Sequence, residues 1–346
     1  MTRFLQLHLL TFVPPANLNR DDTGRPKTAV VGGAPRLRIS SQALKRAWRT
    51  SSLFEAALAG RMGQRTQRLG EVVRDHLIAG GMKAEAAVET ARAIAAVFGK
   101  IKDAKDANAT RIEQLAFISP EERAAALALA DRALAGEKLD FKAADVLRTA
   151  DTAADIALFG RMLAADPDYN REAAAQVAHA ITTHRVTVED DYYTAVDDLK
   201  TSAEDAGAGF LGEAAFGSGV FYLYLCVDRA LLVKNLGGEA ELAKAALGAL
   251  AEAAATVAPR GKQNSFAAHA RAHYVLAEKG DQQPRTLAGA FAKPVVGDGI
   301  MDTSITALTK FRNGLDAAYG KGCAADKVMH VGVEGTLADI VAFCRD

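Results

Sequence analysis

Residues 17–50 read NLNRDDTGRPKTAVVGGAPRLRISSQALKRAWRT, and the order of residue types dictates a loop, a short strand and the start of a helix. Glycines punctuate the loop. Pro35 to Ile39 is a short extended piece. Ser40 or Ser41 can cap the helix that follows, which is expected to run to about Ala59. Leu44, Trp48, Ser51 and Leu58 mark its inner side. Gln42, Lys45, Arg46 and Arg49 lie close together on another side through i,i+3 and i,i+4 spacing.

The same stretch concentrates positive charge. Residues 1–60 hold nine Lys/Arg against three Asp/Glu, a net of +6, in a chain whose formal net charge is zero. Backbone N–H groups at a helix start favour anions. Hydroxyl and amide side chains there can donate to phosphate or ribose. A solvated charged face or a rim of structural salt bridges would use the same residue types. Glycines and a helix terminus accompany the charges here, so a phosphate-binding strip is the favoured expectation. Ser40, Ser41, Gln42, Lys45, Arg46 and Arg49 form it, and Arg20 and Lys27 extend it from the loop. Arg36 and Arg38 alternate on the strand and are expected to share a face.

Outward from this stretch, FLQLHLLTF at residues 4–12 reads as a strand. Leu5, Leu7 and Leu9 lie on one side and Gln6 and His8 on the other, and Pro14 and Pro15 are expected to end it. Residues 65–180 are alanine-rich, with helical spacing at 84–98, 121–135 and 153–165 and almost no strand signal. Segment 131–205 carries eight Lys/Arg against sixteen Asp/Glu, a net of −8, which suits solvent or a basic partner better than a nucleic acid. Strand character returns at His184–Val188 and at Val220–Val227. Between them, glycines at 207, 209, 212, 217 and 219 are expected to break any long element. Phe210, Leu211 and Phe216 suggest a projecting hairpin that contacts a ligand or neighbour, or a loop anchored by its own hydrophobes. Residues 239–257 and about 304–319 read as helices, and 261–274, GKQNSFAAHARAHY, as a polar loop.

The resulting fold class is α+β. A split core of residues 1–60 and 181–346 carries a helical insertion at 61–180. At 346 residues, 49% hydrophobic and 24% charged, the chain has enough apolar material for one large core or two smaller ones. Cys226, Cys323 and Cys344 are scattered and odd in number, neither a disulfide framework nor a CxxC metal pattern, and a reducing cytoplasm is the expected home. No apolar stretch reaches the length of a bilayer span, so no membrane partner is expected.

Few residues suggest catalysis. Asp21 and Asp22 are adjacent loop carboxylates, but a metal usually requires further converging ligands. They can instead orient Arg20 or cap backbone N–H groups. His269 and His273 lack the glutamate of HExxH, and His179 and His184 are no more specific. VVGGAP lacks the lysine–serine ending of a phosphate loop, and no nucleophile elbow or dinucleotide signature appears. No cofactor is expected.

The blocks FLQLHLLTFVPPANLNRDD, GRPKTAVVGG and RLRISSQALKRAWR resemble the backbone subunit of the bacterial type I-E CRISPR surveillance complex, Cascade, the CasC family. The resemblance continues at VAHAITTHRVTVEDDYYTAVDDL, FGSGVFYLYLCVD and GKQNSFA. It spans both halves of the split core; the alanine-rich middle and the C-terminal end carry less of it.

The resemblance implies a modified ferredoxin-like or RRM-like palm (1–60 and 181–346), an inserted helical fingers domain (61–180) and a protruding thumb hairpin at about 195–222. It implies a scaffold rather than an enzyme. Copies stack head to tail along CRISPR RNA, palms hold its backbone, and thumbs displace a nucleotide at intervals. Target DNA is recognised through an R-loop, other Cascade subunits complete the particle, and a separate helicase-nuclease is recruited. Arg20, Lys27, Ser40, Gln42, Lys45 and Arg49 are the implied RNA contacts, with Arg46 beside them and Asn264 and Ser265 in the same groove. Phe216 resembles a thumb aromatic. Two other classes stay open: a metal-dependent ribonuclease centred on Asp21 or Asp22, as in related type III subunits, and a general RNA-binding protein.

Overall fold

The structure, a computed structural model, describes residues 2–163, 165–195 and 210–346. The expected thumb therefore lies partly outside the described residues, at 196–209. The fold is mixed α+β, a sheet with helical insertions, and the chain divides into two compact units. One comprises residues 1–54, 177–226 and 248–346, and the other 55–176 and 227–247.

Described strands in chain order are β1 (Phe4–Ala16), β2 (Thr28–Val31), β3 (Ala34–Ile39), β4 (Gln64–Thr66), β5 (Ala116–Ile118), β6 (Ala175–Val177), β7 (Ala180–Thr182), β8 (Glu189–Ala195), β9 (Phe210–Asp228), β10 (Tyr274–Gly280) and β11 (Ala325–His330). The large sheet runs β11-β10-β1-β9-β7-β3-β2, and β6 and β8 also pair with β9. Leu5, Leu7 and Leu9 point to one face of β1, and Gln6, His8 and Leu10 to the other. All six are buried, because the sheet is covered on both sides. Leu10 packs with Tyr222, Leu276, Phe291 and Leu308, the last from the helix Ile300–Tyr319. On the opposite face Lys279, paired with Leu5, places its ammonium 4.3 Å from the ring centre of Phe343.

Polar residues are pinned within this core. His8 Nδ1 lies 2.8 Å from the Tyr222 hydroxyl, and His8 Nε2 lies 3.3 Å from Glu278. Arg285 and Arg312 pair with the same carboxylate at 3.1 and 2.8 Å. Burial opposes the charge on Glu278, but the His8 hydrogen bond and the two guanidinium charges outweigh it and hold the carboxyl at about 2. Burial holds the His8 imidazole below its ordinary value. The three cysteines are buried and form no disulfide.

Several expectations change. β1 continues through Pro14 and Pro15 to Ala16. Its pairing with β10 ends at Leu10, so the prolines remove no hydrogen bond from that ladder. The helix that starts at Ser41 ends at Arg49, and a second short helix spans Ser52–Ala57. Ser51 makes the break: its Oγ donates to the Trp48 carbonyl at 2.7 Å and accepts from Phe54 N at 3.2 Å. β9 is a single 19-residue strand through Gly212, Gly217 and Gly219. At Gly217 a Cβ would lie 2.8 Å from Leu37 Cδ1, and at Gly219 2.8 Å from His184 Nε2. These glycines admit neighbours rather than break the strand. His184 makes only an isolated bridge to Val295, so no strand spans 184–188.

In the second unit, helices Leu69–Ala79, Ala84–Ala95 and Pro120–Leu134 pack Val73, Leu77, Ala87, Ala91, Ile94 and Ala126 together. Alanines at these positions allow close helix approach. Although strand signal is almost lacking in this stretch, β4 pairs with β5 over three residues each. Segment 153–165 is helical only over Ala154–Phe159. Two buried ion pairs brace this unit, Arg161–Glu122 and Arg171–Asp151, each at 2.5 Å. Part of the acidic tract is thereby consumed internally. Among the described residues no helix is long and apolar enough to cross a membrane.

Candidate nucleic-acid interface

The loop after β1 is fixed by its own side chains. Asn17 Nδ2 donates to the carbonyls of Gly24 and Ala215, both at 2.9 Å. Asn19 Oδ1 accepts from Ser40 N at 2.9 Å. Asp21 Oδ1 accepts from Thr23 N, Thr23 Oγ1 and Arg25 N at 2.9, 2.8 and 3.0 Å. The Thr23 hydroxyl bond, above all, holds the Asp21 carboxyl below its ordinary value. Arg25 pairs with Asp190 of β8 at 2.7 Å. These bonds fix where Arg20 projects, and Arg20 itself is exposed.

Arg20 lines a cleft of about 980 Å³ in the first unit, with Ser51, Ser52, Arg260, Lys262, Gln263, Asn264, Ser265, His269 and Arg271. Four cationic side chains line it and no carboxylate does. The expected contacts Arg20, Asn264 and Ser265 therefore meet on one surface. Gly261 seats the far wall, since a Cβ there would lie 2.4 Å from the Leu18 carbonyl oxygen. The single helical turn Gln263–Phe266 is flanked by Lys262 and Ala267, whose φ angles are +51° and +49°. Non-glycine residues in this region are uncommon and strained, and cluster where function requires a set geometry. Phe266 meets the half-buried Phe216 of β9 with ring centres 5.8 Å apart. His269 and His273 do not share a helix, because the chain is irregular from Ala267 to His273.

The remaining expected contacts do not line this cleft. Gln42 and Arg46 are exposed on α1 (Ser41–Arg49), while Lys45 and Arg49 are half-buried beside them. Burial lowers the proton affinity of Lys45, the state an anionic ligand would relieve. Ser40 is buried and its hydroxyl accepts from Ala43 N at 3.4 Å as the N-cap. Its role visible in the fold is to set the helix start. Lys27 is half-buried before β2. Arg36 and Arg38 stand two residues apart on β3, which puts them on one face, but they differ in burial. Arg36 is fully buried and donates to the carbonyls of Thr182 and Phe291 at 2.7 and 3.0 Å, whereas Arg38 reaches the surface.

Arg260, Lys262, His269 and Arg271 were not singled out as contacts from sequence. The available signal was their clustering around GKQNSFAAHARAHY, a polar loop with no acidic residue. Among the described residues no group of three or more His, Cys, Asp or Glu side chains could hold a metal.

The family model described as CT1975-like protein matches residues 5–340. A chain of a solved "CRISPR RNA-guided surveillance complex, pre-nicking" is 30% identical, with a TM-score of 0.84, over 99% of this chain and 100% of that one. A chain of a "CRISPR RNA-guided surveillance complex" is 27% identical, with a TM-score of 0.63, over 97% of this chain and 92% of that one. No curated protein sequence matches.

Proposed function

The chain belongs to the CT1975-like protein family, and from that premise we propose that it is a guide-RNA-binding backbone subunit of a Cascade-type CRISPR surveillance complex. The observation that carries this reading is the cleft lined by Arg20, Arg260, Lys262 and Arg271 without a carboxylate. Such a surface suits a polyanion held by its phosphates, with Asn264 and Ser265 offering hydrogen bonds to phosphate or ribose. Gln42, Lys45, Arg46, Arg49 and Lys27 extend contact along the strand of RNA, and Ser40 sets the start of α1. Phosphate contacts position without specifying sequence, so guide–target base pairing supplies recognition of the foreign DNA in an R-loop.

In this reading the large sheet is the ferredoxin-like palm, residues 61–180 are the fingers, and 195–222 form the thumb, with Phe216 at its base beside Phe266. Further copies stack head to tail through two different surfaces. Asp21 serves the loop through its three hydrogen bonds rather than a reaction. The other complex subunits and a recruited helicase-nuclease complete the activity.

Co-expression with the neighbouring genes, size exclusion and sequencing of the retained RNA test this. One uniform CRISPR-derived RNA in a large multisubunit particle is expected. Mixed cellular RNA, or none, on a particle without sister subunits overturns it.

A further inference from the structure

Lys27, Arg38 and His179 form a second cluster of basic side chains, two of them cationic, and none of the three lines the cleft. Lys27 precedes β2, Arg38 sits on β3, and His179 lies between β6 and β7. The Arg38 backbone N–H donates to the Lys27 carbonyl at 2.8 Å, and Arg38 stands opposite Ile181 in the β3–β7 pairing. The sheet thus brings three distant segments together. Arg38 Nη1 lies 2.8 Å from His179 Nδ1, and Arg38 Nε donates to the Thr28 carbonyl at 3.4 Å.

A guanidinium carries donors only, so it meets the lone pair of a neutral imidazole, which places the ring proton on Nε2. Partial desolvation, then the charges of Arg38 and Lys27, keep the ring's proton affinity below its ordinary value. The charged groups acting on the ring are Arg38 from β3 and Lys27 from the segment before β2, with no carboxylate among them. His179 is exposed, and Lys27 and Arg38 are half-buried.

We propose that Lys27, Arg38 and His179 form a proton-coupled site for a phosphodiester group of RNA, an inference that rests on the RNA-binding reading above. The phosphate accepts from the Lys27 ammonium, the Arg38 guanidinium and His179 Nε2–H. Its negative charge offsets the two cations that disfavour imidazolium. As Arg38 turns its N–H from the ring to the phosphate, Nδ1 takes a proton from solvent. Binding is therefore linked to proton uptake and tightens as pH falls.

Fluorescence anisotropy of end-labelled single-stranded RNA with the full chain, at constant ionic strength and at about pH 7.5 and about pH 5.5, tests the linkage. H179Q keeps an N–H donor and removes the titration, and circular dichroism checks its fold. Wild type is expected to gain about three- to tenfold more affinity on acidification than H179Q, as a ligand-induced rise of up to about one pKa unit requires. R38A, which frees Nδ1 in the unliganded protein, is expected to shrink that gain. Parallel pH profiles for wild type and H179Q, with RNA bound by both, overturn the proton-coupled site alone. Failure of the wild type to bind RNA at either pH overturns the RNA-binding reading and the site with it.

Discussion

Asn17 shows how a buried residue can govern the placement of an exposed one, Arg20. It is buried, and its carboxamide holds two carbonyls from distant parts of the chain, Gly24 and Ala215. Asn17→Ala leaves both acceptors without this donor and is expected to cost about 1–3 kcal/mol, read as a lower urea midpoint at unchanged slope. Because the same bond fixes the loop bearing Arg20, RNA affinity is expected to fall more than the stability loss explains under conditions where the variant is fully folded. Unchanged affinity would separate the loop from the interface. At this scale the sequence was partly legible. A serine cap at 40 or 41 followed from serines before an amphipathic run, and the structure assigns it to Ser40. The different fates of Arg36 and Arg38 did not follow, because only the packing of β3 against Thr182 and Phe291 decides which arginine is buried.

At the scale of elements, local signals were outvoted by pairing. β9 crosses three glycines because Leu37, His184 and Tyr193 occupy the room that side chains there would need. β1 crosses two prolines beyond the end of its ladder with β10, where they take no hydrogen bond from that ladder. Neither fact is visible to periodicity, which counts side chains and not neighbours. The strand at 4–12 and the helices near 239–257 and 304–319 were legible because they are long and consistently patterned. The stop after Arg49 was not, although its agent is a single hydroxyl. Ser51→Ala is expected to destabilise the protein by about 1 kcal/mol, the usual effect of losing a helix cap, measured by chemical denaturation. A neutral result would show that Trp48 packing alone sets the corner.

For the whole molecule, acid stability is tied to Glu278. Its native value of about 2, against an ordinary 4.5, corresponds to a contribution on the order of 3 kcal/mol. A depressed carboxyl contributes fully above its unfolded value and loses that contribution as pH falls through its folded one, here from about 4.5 toward 2. Glu278→Gln is expected to flatten the pH dependence of stability in that window. It also costs about 3 kcal/mol at neutral pH, since Arg285 and Arg312 lose their shared partner. Denaturation curves at stepped pH measure both. A slope unchanged by the substitution would assign acid lability to other carboxylates.

The burial of Cys226, Cys323 and Cys344 has a practical corollary for spectroscopy. The native surface is silent toward maleimides, since a thiol must be solvated and deprotonated to react. A single cysteine introduced on the exposed turn that lines the cleft, at Ser265, would carry a dye to one address. The unmodified chain then serves as its own blank, and the time taken for its native thiols to react becomes a clock for the opening of the core.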